Sequence, residues 1–97
     1  MAKDRRYHNA FEAVGFEHVE AEHLRIRADL MLEVERLIEA RGLTQAEAAK
    51  LLHVTQPRIS DLTRGKIERF SIDTLVEMLA RAGVDVTVKV RRSKHAA

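Results

Sequence analysis

The chain contains no cysteine. That absence removes disulfide frameworks, cysteine-based zinc ribbons and thiol nucleophiles together. Tryptophan is also missing and aromatic residues make up only 4%, so any core has to be assembled from Leu, Ile, Val and Ala. No apolar run comes near the roughly 18–20 residues that a membrane span needs. The N-terminus has no apolar stretch of the kind that directs secretion. The expected location is therefore cytoplasmic, and a reducing compartment suits a chain without thiols. Nothing resembles a glycine loop able to cradle a phosphate.

What the chain does have is charge and aliphatic material. Hydrophobic residues are 45% and charged residues 33% of 97, which suits one domain with a modest core and a heavily charged exterior. A core of that size gives thin stability, so support from a partner subunit is expected. The net charge of +2 hides an asymmetry. Residues 1–40 carry six Lys/Arg against nine Asp/Glu, which leaves −3; residues 41–97 carry eleven against six, which leaves +5. The basic half is suited to a polyanion.

Hydrophobic spacing divides the chain further. Residues 1–8 are polar and basic. Phe11, Val14 and Phe16 then cluster around Gly15. A long helical pattern follows over roughly 19–41, with Leu30, Val34, Leu37 and Ile38 on one stripe and Arg41-Gly42 as its stop. Thr44 and Glu47 form a capping-box pattern that opens a short helix ending near Leu52. Thr55 caps the next, where Pro57 is tolerated because a first-turn amide needs no helical partner. That helix ends near Thr63, and Gly65 breaks it. Ser71 caps a fourth helix, with Ile72, Leu75, Val76 and Leu79 on its apolar face and Gly83 as its end. Val84, Val86, Val88 and Val90 then alternate with polar residues, the period of a half-buried strand over 84–92. The chain offers that strand no obvious partner, and the expected remedy is pairing with its copy in a second subunit. The domain division expected is an N-terminal segment, 1–18, flexible or partner-binding, followed by a single unit, 19–97.

No catalytic constellation emerges, so no enzyme is expected. Among His8, His18, His23, His53 and His95, only His18 and His23 are close in a helical stretch, and five residues is a poor spacing for a shared metal. His53, Ser60 and Asp61 lie near one another in sequence, but Ser60 and Asp61 are adjacent on a helix and diverge, which argues against a triad. Asp29, Glu33 and Glu35 suit a solvated face. No cofactor or metal is implied.

The pattern from Leu43 to Gly65 points to different chemistry. Two short helices meet at a tight turn around His53-Val54-Thr55. Ala49 is small enough for their close contact, and Val54, Ile59 and Leu62 plug the inner side. The other face of the second helix is polar: Gln56, Arg58, Asp61. A helix fits the major groove, and its first turns reach base edges.

This stretch resembles the Xre (Cro/CI-like) helix-turn-helix family, from the Leu-Thr-Gln-Ala-Glu opening at 43–47 to the Arg-Gly-Lys at 64–66, over residues 43–83. The resemblance departs at His53, where the family usually has glycine; a left-handed backbone is open to His there at some cost. By the resemblance, DNA is contacted by Gln45, Thr55, Gln56, Pro57, Arg58, Ser60, Asp61, Arg64 and Lys66. Gln45, Arg64 and Lys66 would grip phosphates. Gln56 would read bases, as a glutamine can pair with adenine through two hydrogen bonds. Arg58 would read guanine or hold phosphate. Asp61 would accept from a cytosine amino group or repel wrong registers. Pro57 would touch sugar or a thymine methyl, or nothing.

The Phe-x-x-x-Gly-Phe opening at 11–16, the long helix, the Phe-Ser-Ile-Asp at 70–73 and the final valine alternation together resemble HigA-type antitoxins. That resemblance implies a homodimer on an inverted-repeat operator. It implies repression of the chain's own promoter and neutralisation of a basic RelE/HigB-like toxin. Phe11, Val14 and Phe16 would dock onto the toxin or, equally, staple the long helix to the chain's own core. Val84, Val86, Val88 and Val90 would form the dimer strand. The alternative is a stand-alone regulator of the same family with no toxin partner.

Overall fold

A computed structural model describes the backbone from residue 10 to 92 and the side chains from residue 17 to 92. Among these residues there are four α-helices: α1 (Ala10–Ala40), α2 (Gln45–Leu52), α3 (Gln56–Thr63) and α4 (Ile72–Arg81), with one 3-10 turn at Ile67–Arg69 between the last two. The sequence leads to a mainly helical class of four to five helices with one C-terminal β-strand pairing across a dimer, and the mainly helical part, in four helices, is observed.

One expected helix start is corrected. The first helix starts at Ala10 rather than near residue 19, so its backbone passes continuously through Gly15. An interior glycine costs about 1 kcal/mol relative to alanine. Alanine and glutamate, good helix formers, surround Gly15 at Ala13, Glu12 and Glu17 and offset that cost. The side chains of Phe11, Val14 and Phe16 lie outside the described residues.

At the C-terminus, residues 84–92 of the single chain form no strand, so the expected strand is not seen without a second copy. A strand exists only with a ladder partner, and the described single chain offers none. The valine alternation nonetheless has a structural meaning. Val84 and Val86 pack against the core, whereas Val88 and Val90 are 76% and 86% exposed.

The core is small and drawn from every helix. Met31 and Val34 of α1 meet Ala48, Ala49 and Leu52 of α2, Ile59 and Leu62 of α3, and Leu75, Met78 and Leu79 of α4, with Phe70 from the connecting turn. The α1 stripe expected from spacing is centred on Val34; Leu30, Leu37 and Ile38 flank it half-buried, and Met31 joins it. In α4 the buried face includes Met78, while Val76 is left at 36% exposure. Long-range hydrogen bonds tie α1 to the rest: Arg27 Nη1 donates to the Ile67 carbonyl at 3.3 Å and Arg41 Nη2 to the Ala82 carbonyl at 3.0 Å.

All four helix ends use one device. After each, a residue with positive φ (Gly42, His53, Gly65, Gly83) turns the chain. The next amide then reaches back five residues to a free carbonyl: Leu43 to Ile38, Val54 to Ala49, Lys66 to Asp61 and Val84 to Leu79, at 2.9–3.0 Å. This is the left-handed C-cap that satisfies carbonyls left over at a helix terminus.

Candidate nucleic-acid interface

The site is built by α2, the turn and α3. Thr44 Oγ1 accepts from the Glu47 amide at 3.1 Å while Glu47 Oε1 accepts from the Thr44 amide at 2.9 Å, a reciprocal capping box that fixes where α2 begins. Ala48 and Ala49 are buried on the inner side of α2. Small side chains there leave room for α3 to approach. His53 closes α2 at φ 59°, ψ 45°, the left-handed conformation. Val54 packs half-buried behind the turn. Thr55 then caps α3 by accepting from the Arg58 amide.

Within α3, Ile59 and Leu62 are fully buried and fix the helix's inner face. At 100° per residue the opposite face is centred on Pro57 and, just past the helix end, Arg64. Gln56, Ser60 and Asp61 flank it. Gln56, Pro57, Thr63 and Arg64 are exposed and Ser60 is half-buried. Gln45 is exposed at the first position of α2, with Thr44 as its N-cap. The structure thus brings Gln45, Gln56, Pro57 and Arg64 to the surface.

Three of the expected contact residues, Arg58, Asp61 and Lys66, already have partners within the protein. Arg58 Nη1 donates to the Arg69 carbonyl at 2.8 Å, and its Cζ lies 4.4 Å from the Phe70 ring centroid. Asp61, with a side chain only 16% exposed, accepts from Arg69 Nη1 at 3.1 Å and lies 3.9 Å from Lys66 Nζ. The spacing of the motif did not indicate Arg69 or Phe70, because each acts across the connecting turn. A cation following the recognition helix was the one available signal for Arg69. Thr63 was likewise missed as an exposed hydroxyl; its Oγ1 donates to the Ser60 carbonyl at 3.1 Å. Among the described residues no three His, Asp or Glu side chains come together as a metal site, and no helix is long and apolar enough to cross a membrane.

A family profile described as a helix-turn-helix domain matches residues 13–91, most of the chain and all of this arrangement. The chain belongs to the XRE-type helix-turn-helix family. As a member it is a DNA-binding regulator. Among curated relatives, the candidate antitoxin HigA2 of Mycobacterium tuberculosis (strain ATCC 25618 / H37Rv) is 29% identical over 92 residues, covering 94% of this chain and 91% of the relative. Among solved structures, a candidate XRE-family transcriptional regulator superposes with a TM-score of 0.71 at 29% identity, covering 80% of this chain and 88% of its own. Both alignments reach well beyond the two short motif helices. The likeness therefore includes the long first helix or the segments after α3 as well as the reading unit.

Proposed function

We propose that this XRE-family protein is the antitoxin of a toxin–antitoxin operon, repressing its own promoter and neutralising a basic RelE/HigB-like toxin. The observation that carries this reading is the near end-to-end similarity to a HigA candidate antitoxin. On this reading a homodimer sets two α3 helices into successive major grooves about 34 Å apart, so the operator is an inverted repeat. Gln56 reads a base, with Pro57 and Ser60 beside it. Gln45, Arg64 and Lys66 hold phosphates, which position the helix without specifying sequence. Thr55 and Asp61 serve the same surface by shaping it. The toxin docks on the N-terminal part of α1, through Phe11, Val14 and Phe16 and the acidic positions that follow, Glu17, Glu20 and Glu22. Opposite charge would favour such an encounter.

Fluorescence anisotropy against the chain's own promoter DNA and a scrambled control, across a salt series, tests the repressor part. Binding selective for the promoter, saturating at one dimer per inverted repeat, is the expected result. Equal weak binding to both would end this reading. Arg64→Ala with Lys66→Ala should weaken binding to every sequence and flatten the salt slope by about two phosphate contacts. Co-expression with a neighbouring gene for a small basic protein, followed by co-purification, tests the toxin part. The second reading, a stand-alone regulator, is favoured by the solved neighbour, whose description names transcriptional regulation alone. The absence of any adjacent toxin gene would select it.

A further inference from the structure

Arg58 stands in the first turn of α3, where a reading helix has its base contacts, yet its guanidinium turns back onto the protein. Nη1 donates to the Arg69 carbonyl at 2.8 Å, and the group lies over the Phe70 ring at 4.4 Å. Phe70 is 1% exposed, so that ring never meets DNA directly. A planar fork held at once by a carbonyl and a ring face has its orientation fixed, which an ammonium could not reproduce.

The fastening is double. Arg69, whose carbonyl receives Arg58, sends its own Nη1 to Asp61 Oδ2 at 3.1 Å. Asp61 follows Arg58 by three residues, one turn along α3. Two attachments one turn apart, both made to the segment 69–70, resist rolling of α3 about its axis. A single attachment would act as a pivot. Ile59 and Leu62 hold the helix against the core, but apolar packing is non-directional and sets its roll less sharply.

We infer that Arg58 is a positioning residue for DNA reading. It fixes the roll of α3 by bracing it on Arg69 and Phe70, and base discrimination at Gln56 depends on that brace. This rests on the reading that α3 enters the DNA.

The experiment compares Arg58→Ala, Arg58→Lys, Phe70→Leu and the Arg58→Ala/Phe70→Leu double variant, each checked for native helicity by circular dichroism. Each is measured on the promoter operator, a scrambled duplex and a panel of single-base-pair operator variants, across salt. The expected result is a fall on the order of tenfold in the operator-to-scrambled binding ratio. That loss is spread over several positions, the salt slope is kept, and the double variant is no worse than either single. Phe70→Leu is a telling variant when paired with Arg58→Ala, because a buried ring cannot touch DNA and, if the two act through one brace, their effects on discrimination do not add. Should Phe70→Leu not fold, Arg58→Lys decides: it keeps the charge, and discrimination must still fall.

Loss confined to one base pair makes Arg58 a base reader and overturns the inference. A uniform loss on all sequences with the salt slope reduced by about one makes it a phosphate contact, with the same consequence. A lowered Tm with discrimination intact leaves only a stability role, which also overturns it. If the unsubstituted protein itself fails to distinguish operator from scrambled DNA, the function reading has failed first and this inference falls with it.

Discussion

His53 holds a backbone conformation that the other three helix ends give to glycine, with φ 59°. For an L-residue the left-handed region costs about 1–2 kcal/mol. His53→Gly should therefore raise stability by about 1 kcal/mol, after allowing for the greater freedom of glycine in the unfolded chain. In a domain of this size that corresponds to a rise in Tm of about 4–8 °C, measurable by thermal denaturation. An unchanged or lower Tm would mean that the imidazole makes a compensating contact. The sequence pointed to this position only conditionally: the family usually has glycine there, and a left-handed backbone was open to His at some cost. The commitments of Arg58 and Asp61 were not legible, because each joins residues eight to eleven positions apart across a connecting turn, beyond the reach of local periodicity. A titration offers a second check at this scale. Arg25 donates to Glu22 at 2.9 Å, and that hydrogen bond, with the accompanying charge attraction, holds the Glu22 carboxyl below its ordinary range. A depressed carboxylate pKa lends its effect above the unfolded value and loses it as pH falls through the folded one. Both groups are exposed, so the readout is Glu22 itself. Its NMR titration midpoint should lie below that of an ordinary glutamate and move up in Arg25→Gln.

The short helices of the reading unit depend on their caps. With eight residues each, α2 and α3 are too short to persist without them or without tertiary packing. Removing the α3 cap by Thr55→Ala should cost about 1 kcal/mol, and Thr44→Ala a similar amount through the loss of the capping box on α2. Urea unfolding would report both. Thr55→Ala should also lower discrimination between operator and scrambled DNA in the folded protein, since it loosens the first turn that carries Gln56, whereas Thr44→Ala, which loosens the turn carrying Gln45, should weaken binding to all sequences alike. Equal losses of discrimination in both would count against α3 as the reader. At this scale the sequence was highly informative: the caps at Thr44, Thr55 and Ser71 and the stops at Gly42, Gly65 and Gly83 mark local chemistry and stand where expected. The start of α1 was not legible. Phe11, Val14 and Phe16 around Gly15 read locally as a break, while helix continuation there is decided by the summed propensity of a long segment.

The whole molecule is 48 Å along its longest axis, close to the length of a 31-residue helix at about 1.5 Å per residue. Its C-terminal segment leaves Val88 and Val90 largely exposed beside Val84 and Val86, which pack half-buried against the core. If a second copy covers them, sedimentation at micromolar concentration should show a dimer. Val88→Lys with Val90→Lys should then shift it to monomer and sharply reduce affinity for an inverted repeat, while a single half-site is bound as before. A native chain that sediments as a monomer, with and without DNA, would rule out strand pairing between subunits. The valine alternation was legible in the sequence, but whether it pairs was not, because strand pairing is a property of two segments and the alternation is one.

The first helix is not uniform along its length, and this bears on turnover. No described residue before Met31 is buried, whereas Met31 and Val34 sit in the core. Residues 17–25 carry no buried side chain, and their backbone amides open by fraying. Those around Val34 open only when the domain unfolds. Hydrogen exchange should divide α1 into a fast-exchanging overhang and a protected root. A cellular protease could shorten the overhang, and with it any partner seated there, while the DNA-reading core stayed folded.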